Sequence, residues 1–295
     1  MTSGNSSRKK LRELLASKGL IVAPGIYDAY GARLVEEAGF KAVYMTGNGV
    51  SASLLGRPDV GLVDLTLMTS HAHRVASAVD IPLICDADTG YGNAVNVRRT
   101  VQEFEAAGVS AIHLEDQVSP KRCGHLPGSR PVVALTEAIG KVEAAVAARR
   151  DPDFMIIART DAATGEGLDE AIRRGKSFRA AGADVIFVEL KGGDKVLDEL
   201  KRVAREIDAP CLVNVEEAGK VGEVTAGELE DMGFRIAIYP GLGRYAAGYA
   251  IRDALGTLSR DGSTRAARNR MLTFREYNDA LKLPDVEEWE RRFLR

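Results

Sequence analysis

Four segments of the chain share one pattern, in which a helix-like stretch is followed by a glycine and then by a short apolar run. They read EEAGFKAVYMTG, EAAGVSAIHLED, RAAGADVIFVEL and EDMGFRIAIYPG. Glycine in this place is typical of the end of a helix, and the apolar run after it predicts a buried strand. The four predicted helix ends are Gly39, Gly108, Gly182 and Gly233.

Three further apolar runs each follow an aspartate and lie near a proline: DIPLICDAD, DPDFMIIARTD and DAPCLVNVEE. Together with LIVAPG at residues 20–25, they bring the number of predicted strands to eight. The stretches between the strands, such as VNVRRTVQEFEAAG, carry apolar residues at helical spacing. Strand and helix are therefore predicted to alternate along the chain.

Short, almost continuously apolar strands separated by helices indicate a parallel sheet that is buried on both faces. Eight such units favour a closed (β/α)8 TIM-type barrel, and an open doubly wound sheet is the alternative. We predict a flexible N-terminus at residues 1–7, the barrel at residues 8–258 and a C-terminal helical extension at residues 259–295.

The C-terminal extension is longer than one outer helix of a barrel requires, and it ends in DVEEWERRFLR. Its pattern predicts extra C-terminal helices. These helices either pack on their own barrel or are exchanged with a neighbouring subunit, in which case Trp289 and Phe293 are the apolar anchors. The pattern does not decide between the two arrangements.

The charge balance excludes several classes of partner. The 40 Lys and Arg residues nearly balance the 42 Asp and Glu residues, so no net field would hold the chain to nucleic acid or to an anionic membrane. No apolar run approaches the roughly 20 residues that span a bilayer, and MTSGNSSRKK lacks the apolar core of a secretory signal. We expect a cytoplasmic protein whose partner is a small molecule.

The chain has 3 cysteines, too few for a disulfide framework. Cys85 and Cys211 lie in apolar runs and are predicted to be structural thiols, whereas Cys123 lies in the polar stretch SPKRCGHLPG. Cys123 and His125 would supply only half the ligands of a zinc site. The spacing alone leaves a metal site, a nucleophile and a proton donor on a moving loop as alternatives.

Polar residues follow most of the predicted strands, at the end where a (β/α)8 barrel carries its chemistry. Acidic groups predominate among them. In chain order these residues are Tyr44, Thr46, Asn48, Asp86, Asp88, Glu115, Asp116, Arg159, Asp161, Glu189, Asn214, Glu216 and Glu217.

Two of these carboxylates, Asp86 and Asp88, stand two positions apart, and an extended strand would point both to the same side. With carboxylates from the next strand they predict an oxygen-rich pocket suited to Mg²⁺ or Mn²⁺. Arg159 can hold a substrate carboxylate through two parallel hydrogen bonds, or it can neutralise the acidic rim. The glycine-rich TGNG turn offers backbone N–H groups to a second carboxylate.

Four motifs stand in a fixed order along the chain: YMTGNGVSASLLGRPDVG, CDADTGYGNA, HLEDQVSPKRCGHLPG and IARTDA. In these motifs the chain resembles the isocitrate lyase and phosphoenolpyruvate (PEP) mutase superfamily over nearly the full barrel. The KRCGH loop resembles that of the carbon–carbon lyase branch, which includes 2-methylisocitrate lyase and 2,3-dimethylmalate lyase. PKRCGHLPG and IDAPCLVN also resemble the carboxyphosphonoenolpyruvate phosphonomutase branch.

The resemblance implies a metal site and a set of substrate contacts. Mg²⁺ would lie near Asp86 and Asp88, with help from Glu115. The implied substrate contacts are Thr46, Gly47, Asn48, Asp59, Arg122, Gly124, Arg159, Glu189 and Asn214. The resemblance also implies a homotetramer.

In the reaction that the resemblance implies, a 2-hydroxy di- or tricarboxylic acid is cleaved to pyruvate and a second carboxylic acid. Tyr44 would take the hydroxyl proton, and Cys123, on a gating loop, would return a proton to the carbanion. Lys121, Arg122 and His125 would stabilise the thiolate. Carboxyphosphonoenolpyruvate phosphonomutase or oxaloacetate decarboxylase activity is the alternative.

The chain departs from many methylisocitrate lyases at two places. They read Ser-Gly-Gly where this chain has Thr46, Gly47 and Asn48, and the amide side chain would reshape the carboxylate site. Glu216 stands where a neutral residue is common, and an acid there would repel a third carboxylate. A dicarboxylic substrate is therefore favoured over a tricarboxylic one.

Overall fold

Eight parallel strands close into one barrel in the computed structural model, which describes residues 3–124, 126, 130–190 and 192–294, with backbone alone for residues 3–5. Each strand pairs with the next along the chain, and the last pairs with the first. The strands are β1 (Ile21–Ile26), β2 (Val43–Met45), β3 (Leu83–Asp86), β4 (Ala111–Glu115), β5 (Met155–Thr160), β6 (Val185–Val188), β7 (Cys211–Asn214) and β8 (Ile236–Tyr239). The predicted (β/α)8 barrel is confirmed, and the open sheet is excluded.

Helices surround the barrel and extend beyond it. The α-helices are α1 (Ser3–Ala16), α2 (Ala29–Glu37), α3 (Gly47–Leu55), α4 (Leu65–Ala78), α5 (Ala94–Ala106), α6 (Leu135–Ala148), α7 (Leu168–Ala180), α8 (Val196–Glu206), α9 (Ala226–Asp231), α10 (Leu242–Asp261), α11 (Phe274–Ala280) and α12 (Leu283–Phe293). Helix α1 begins inside the segment that the sequence predicts to be a flexible N-terminus. The expected end of the barrel, residue 258, falls within α10.

The strands are buried on both faces, which explains their almost continuous apolar character. Side chains such as Met155, Ile157 and Phe187 belong to one cluster with Leu11 of α1, while separate clusters fill the space around the helices. Leu11 is fully buried among the residues of the strands. Apolar packing therefore occupies much of the barrel, and polar groups gather at the carboxyl ends of the strands.

The predicted helix ends are confirmed at all four glycines that precede β2, β4, β6 and β8. Gly39, Gly108, Gly182 and Gly233 have φ angles of 84°, 88°, 98° and 103°. Side chains with a Cβ rarely adopt this left-handed region, so glycine lets the chain leave each helix and enter the next strand without strain.

The C-terminal helices differ in how they contact the barrel. Helix α10 packs against β1, and α11 packs against α2, where the rings of Tyr277 and Tyr30 lie 5.4 Å apart. Helix α12 buries none of its residues, and Trp289 and Phe293 are 58% and 66% exposed. Within the described residues, none of the helices combines the length and hydropathy that crossing a membrane requires.

The exposed apolar side chains of α12 carry a prediction about assembly. We propose that the chain forms a homo-oligomer, a tetramer by its resemblance, in which the helix around Trp289 lies on another subunit. Light scattering at micromolar concentration should report a mass above that of one chain. Replacing Trp289 and Phe293 together by serine should reduce this mass, and a monomeric wild-type chain would refute the prediction.

Candidate active site

A cavity opens at the carboxyl ends of the strands, as the barrel fold predicts. Its walls come from strand ends, from the first turns of α3 and α10 and from the loop after β4. The lining residues are Tyr44, Thr46, Asn48, Asp59, Asp86, Glu115, Lys121, Cys123, Gly124, Arg159, Glu189, Asn214, Ile238, Pro240 and Arg244. Most of the predicted site residues therefore meet in one place.

The TGNG segment forms the start of a helix and not an isolated turn. Thr46 caps α3, because its hydroxyl oxygen accepts a hydrogen bond from the Gly49 N–H at 3.4 Å. The N-terminus of a helix favours a negative charge, so this element suits a carboxylate. A Cβ atom on Gly47 would lie 2.6 Å from Asp86 Oδ2, and glycine therefore lets α3 begin directly beside this carboxylate.

Asp86, at the end of β3, is a buried carboxylate that accepts two backbone hydrogen bonds. The N–H groups of Gly47 and Asp88 lie 3.3 and 3.0 Å from its oxygens. Burial raises the pKa of the Asp86 carboxyl, but its surroundings, above all His113 and Lys121, outweigh burial and lower the pKa to about 2. Asp86 is therefore ionised at neutral pH.

Asp88 does not continue the extended strand, and the prediction that it points to the same side as Asp86 on such a strand is wrong in this detail. The strand ends at Asp86, and Asp88 has a φ of 47° in the left-handed region. Its carboxylate lies 2.7 Å from Lys121 Nζ, which also lies 2.6 Å from Asp59 Oδ2. Burial lowers the pKa of Lys121, but the surrounding carboxylates, Asp88 first, raise it well above its usual value.

The predicted metal ligands offer oxygen donors, but they do not form a compact cluster. Among the residues that the structure describes, no group of three His, Cys, Asp or Glu side chains is close enough to hold an ion directly. Glu115 lies 3.4 Å from Arg159, and Asp88 faces Lys121. Asp86, whose Oδ1 lies 3.7 Å from Nε2 of His113, fits as the direct ligand of a Mg²⁺ ion that keeps several waters.

Arg159 links the acidic residues of the rim. Its Nε and Nη2 groups donate to the two carboxylate oxygens of Asp161 at 2.8 and 2.9 Å. Its guanidinium also lies 3.4 Å from Glu115 and 3.7 Å from Glu189, and it stacks over the ring of Phe187. Arg159 therefore neutralises the rim, and because it also lines the cavity, its contact with a substrate carboxylate stays a prediction.

Glu189 and Asn214 form one wall of the cavity. The Asn214 amide nitrogen donates to the two carboxylate oxygens of Glu189 at 3.4 and 3.2 Å. Glu189 is also held by Arg159, so the amide and the guanidinium share one buried carboxylate. This arrangement fixes the Asn214 side chain at the end of β7.

Tyr44 pairs with a histidine that the sequence does not single out. The phenolic oxygen lies 2.8 Å from Nε2 of His113, and both side chains are buried inside the barrel. Burial, with a smaller effect of Asp86, raises the pKa of Tyr44 well above its usual value, so the phenol is protonated at neutral pH. Burial lowers the pKa of His113 to about 4, and the imidazole is therefore neutral.

The loop after β4 places the Cys123 thiol in the cavity. The Cys123 N–H donates to the Asp59 carbonyl at 3.1 Å, and the sulfur accepts a hydrogen bond from Asn48 Nδ2 at 3.2 Å. The loop is further tied down by Arg130, which donates to Asp161 Oδ1 at 2.7 Å. The sequence predicts Asn48 as a substrate contact, and the structure adds its contact with the thiol.

Gly124 lets this loop approach the rim closely. A Cβ atom there would lie 2.8 Å from Arg130 Nη1 and 2.9 Å from Glu189 Oε1. Such distances require a neighbour to move, and both neighbours already belong to the buried ion-pair network. The glycine therefore allows the backbone beside Cys123 to lie against the cavity wall.

Arg122 and Glu216 are described by the structure but do not line the cavity. The Arg122 side chain is exposed, and only its backbone is engaged, in hydrogen bonds with Gln117. Its role in stabilising the thiolate therefore stays a prediction. Glu216 lines a neighbouring cavity to which Glu189 and Asn214 also belong, so its effect on a third carboxylate stays a prediction. His125 lies outside the described residues.

The other two thiols are structural, as predicted. Cys85 and Cys211 are both buried and unlinked by disulfides. Burial raises the pKa of Cys85 well above its usual value and that of Cys211 to about 12. Neither thiol lines the cavity.

Arg244 and His113 are the main site residues that sequence reasoning missed. His113 stands two positions before Glu115 on β4, so strand alternation places both on the interior side, and this signal could have found it. Arg244 lies in the first turn of α10, and no local pattern marks it. It reaches the cavity because α10 begins directly after β8.

The fold and the cavity define an enzyme of the (β/α)8 barrel class whose acidic rim carries an arginine and a thiol. The family described as phosphoenolpyruvate phosphomutase matches residues 11–258. The chain is 48% identical over 284 residues to 2,3-dimethylmalate lyase of Eubacterium barkeri, covering 96% of this chain and 97% of that protein. The chain therefore belongs to the PEP mutase family, within the PEP mutase/isocitrate lyase superfamily.

Solved structures agree with this assignment. Oxaloacetate acetylhydrolase in complex with 3,3-difluorooxalacetate has a TM-score of 0.91 and 38% identity, covering 97% of each chain. Phosphonopyruvate hydrolase in complex with oxalate and Mg²⁺ has a TM-score of 0.90 and 32% identity, covering 98% of this chain and 100% of that one. These proteins act on different substrates, so family membership alone leaves the substrate open.

Proposed function

We propose that the chain is a Mg²⁺-dependent carbon–carbon lyase that cleaves a 2-hydroxy dicarboxylic acid of the 2,3-dimethylmalate type to pyruvate and a second carboxylic acid. The observation that carries the proposal is the Cys123 thiol in one cavity with Tyr44 and Arg159. A lyase needs a group that returns a proton to carbon, and the thiol is suited to that role. The 48% identity to 2,3-dimethylmalate lyase supports the same reading.

The reaction requires two proton transfers. Loss of the 2-hydroxyl proton turns that oxygen into the carbonyl of pyruvate, and the electrons of the adjacent C–C bond pass to the departing carbon. The Cys123 S–H proton then goes to this carbon, leaving a thiolate. Because the Tyr44 phenol is protonated, it takes the hydroxyl proton only by passing its own to His113 Nε2, which lies 2.8 Å away.

The remaining side chains bind and orient the substrate. Arg159 is suited to hold one substrate carboxylate, and the helix N-terminus at Thr46 is suited to hold another. Mg²⁺, held by Asp86 with Asp88 and Glu115 acting through its water ligands, would supply positive charge that stabilises an oxyanion. The loop that carries Cys123 would exclude water from the carbanion.

A dicarboxylic substrate is favoured because Asn48 already binds the guanidinium of Arg244, which a third substrate carboxylate would need as a partner. Arg244 donates through Nη1 to Asn48 Oδ1. Arg159 is assigned to one of the two substrate carboxylates, so a third would have to draw on Arg244, whose Nη1 already donates to Asn48.

A substrate panel tests the proposal. The metal-loaded enzyme is given 2,3-dimethylmalate, 2-methylisocitrate, oxaloacetate and phosphonopyruvate, and all products are identified by NMR. We expect the highest kcat/KM with 2,3-dimethylmalate, with pyruvate formed in equal amount to the second acid. Preferred turnover of oxaloacetate or phosphonopyruvate would contradict the lyase assignment, and no turnover of any diacid would indicate a binding module.

A further inference from the structure

A hydrogen-bonded chain of three side chains ends on the Cys123 sulfur. Arg244 Nη1 donates to Asn48 Oδ1, and Asn48 Nδ2 donates to Cys123 Sγ at 3.2 Å. The three residues come from the first turn of α10, the first turn of α3 and the loop after β4. They are therefore brought together by the tertiary structure alone.

The direction of this chain follows from the chemistry of its first member. A guanidinium has N–H donors and no acceptor, so it can face only the oxygen of the Asn48 amide. The amide nitrogen must then face the sulfur and donate to it. Without the guanidinium the amide could turn over, and the thiol would then donate to the amide oxygen.

The position of Arg244 is itself fixed by an aromatic ring. Its guanidinium lies over the ring of Tyr245 at 4.7 Å, and Nη2 donates to the Tyr245 hydroxyl at 3.2 Å. No carboxylate of the described residues forms an ion pair with Arg244. Its Nη1 group is therefore directed at the oxygen of the Asn48 amide.

The ring in turn packs against the start of α10. A Cβ atom on Gly241 would lie 2.3 Å from Glu217 Oε2 and 2.4 Å from the ring of Tyr245, so glycine at the start of the helix leaves room for both side chains. The stacked ring and the hydroxyl hold the guanidinium from two sides. This support makes the donor preorganised toward Asn48.

We propose that Arg244 is a positioning residue that holds the Asn48 amide with its N–H group toward Cys123, and so favours the thiolate that remains after proton transfer. The inference rests on the proposed role of Cys123 and adds a device that controls it. In the proton transfer the S–H bond breaks, its proton goes to carbon, and the electron pair left on sulfur accepts the Asn48 hydrogen bond. Arg244 acts through Asn48 and does not need to touch the substrate.

The test measures how fast iodoacetamide alkylates Cys123 in the full-length, folded chain without substrate, at one fixed pH near neutrality, by mass spectrometry. The thiolate is the reactive form, so the rate reports how strongly it is favoured. Arg244→Met keeps the apolar stem on Tyr245 and removes the donors. Arg244→Lys restores one donor, and Arg252→Ala is the matched control, since this exposed arginine lies on the same helix and outside the cavity.

We expect Arg244→Met to slow alkylation about tenfold, the effect of one hydrogen bond to a charged group, and Arg244→Lys to recover part of the rate. Arg252→Ala should leave the rate unchanged. In an Asn48→Ala background, which is slow already, Arg244→Met should cause no further loss. Since no substrate is present, the result is independent of the substrate panel.

An unchanged rate in Arg244→Met would overturn the inference. An equal loss with and without Asn48 would also overturn it, because Arg244 would then act directly or through the general structure. Millimolar guanidinium ion gives a second measurement. It should restore alkylation in Arg244→Met and have no effect when Arg244→Met is combined with Asn48→Ala. Failure to restore alkylation in Arg244→Met alone counts against the positioning role.

Discussion

Replacing Cys123 by serine is expected to lower kcat of the lyase reaction by about 10²–10⁴-fold, the usual contribution of a positioned general acid. Binding of the diacid should change little, because the thiol acts on the developing carbanion and not on the bound substrate. Steady-state kinetics give kcat, and calorimetric titration with a diacid that is not cleaved gives the affinity. The two measurements separate loss of chemistry from loss of binding.

Cys211→Ala is the matched control, since this buried thiol lies on β7 outside the cavity and should affect stability but not kcat. Near-normal lyase turnover of Cys123→Ser would show that the acid is another group. Alkylation offers a second check on the same assignment. A bound diacid should protect Cys123 in the wild-type chain, and equal alkylation with and without it would argue against a thiol enclosed with the substrate.

Replacing Asp86 by asparagine is expected to lower kcat by about 10³-fold, because the charge that fits a direct Mg²⁺ ligand is lost. The amide keeps nearly the same shape, but its single oxygen can accept only one of the two hydrogen bonds that the Gly47 and Asp88 N–H groups donate to different oxygens of Asp86. Mg²⁺ should raise the melting temperature of the wild-type chain, because an ion that binds the folded state stabilises it. It should not raise the melting temperature of the variant, which lacks the ligand. Activity and thermal unfolding are therefore measured together.

Asp169→Asn is the control for this substitution, because Asp169 is 86% exposed on α7 and pairs with Arg202 far from the cavity lining. It should leave both the activity and the Mg²⁺ effect unchanged. Exhaustive chelation should abolish the wild-type activity, and Mg²⁺ or Mn²⁺ should restore it. Full activity in chelator would contradict a metal requirement altogether.

The pattern of apolar and polar residues was sufficient to predict the barrel. Eight short apolar runs, each buried on both faces, are compatible with a parallel sheet covered by helices, and the glycines at the helix ends set the boundaries. The ends of the strands then determine where polar side chains gather. Tyr44, Asp86, Glu115 and Arg159 could therefore be assigned to one rim from their sequence positions.

The directions of individual side chains depended on tertiary contacts. Asp88 follows the strand by only two residues, yet its left-handed backbone turns it to Lys121. Arg122 and Cys123 are adjacent, but the hydrogen bonds of Gln117 hold the loop so that the arginine is exposed while the thiol lines the cavity. Local sequence does not encode such choices, because each is decided by a partner on another element.

The contacts that join distant segments were decided only by the closed barrel. Tyr44 and His113 are separated by 69 positions, and Asn48 and Arg244 by 196. The contact between Tyr44 and His113 could in principle be predicted from residue type and strand position, since both residues lie on predicted strands. The second pair exists because closure of β8 onto β1 brings the start of α10 beside the start of α3, a proximity that no spacing along the chain records.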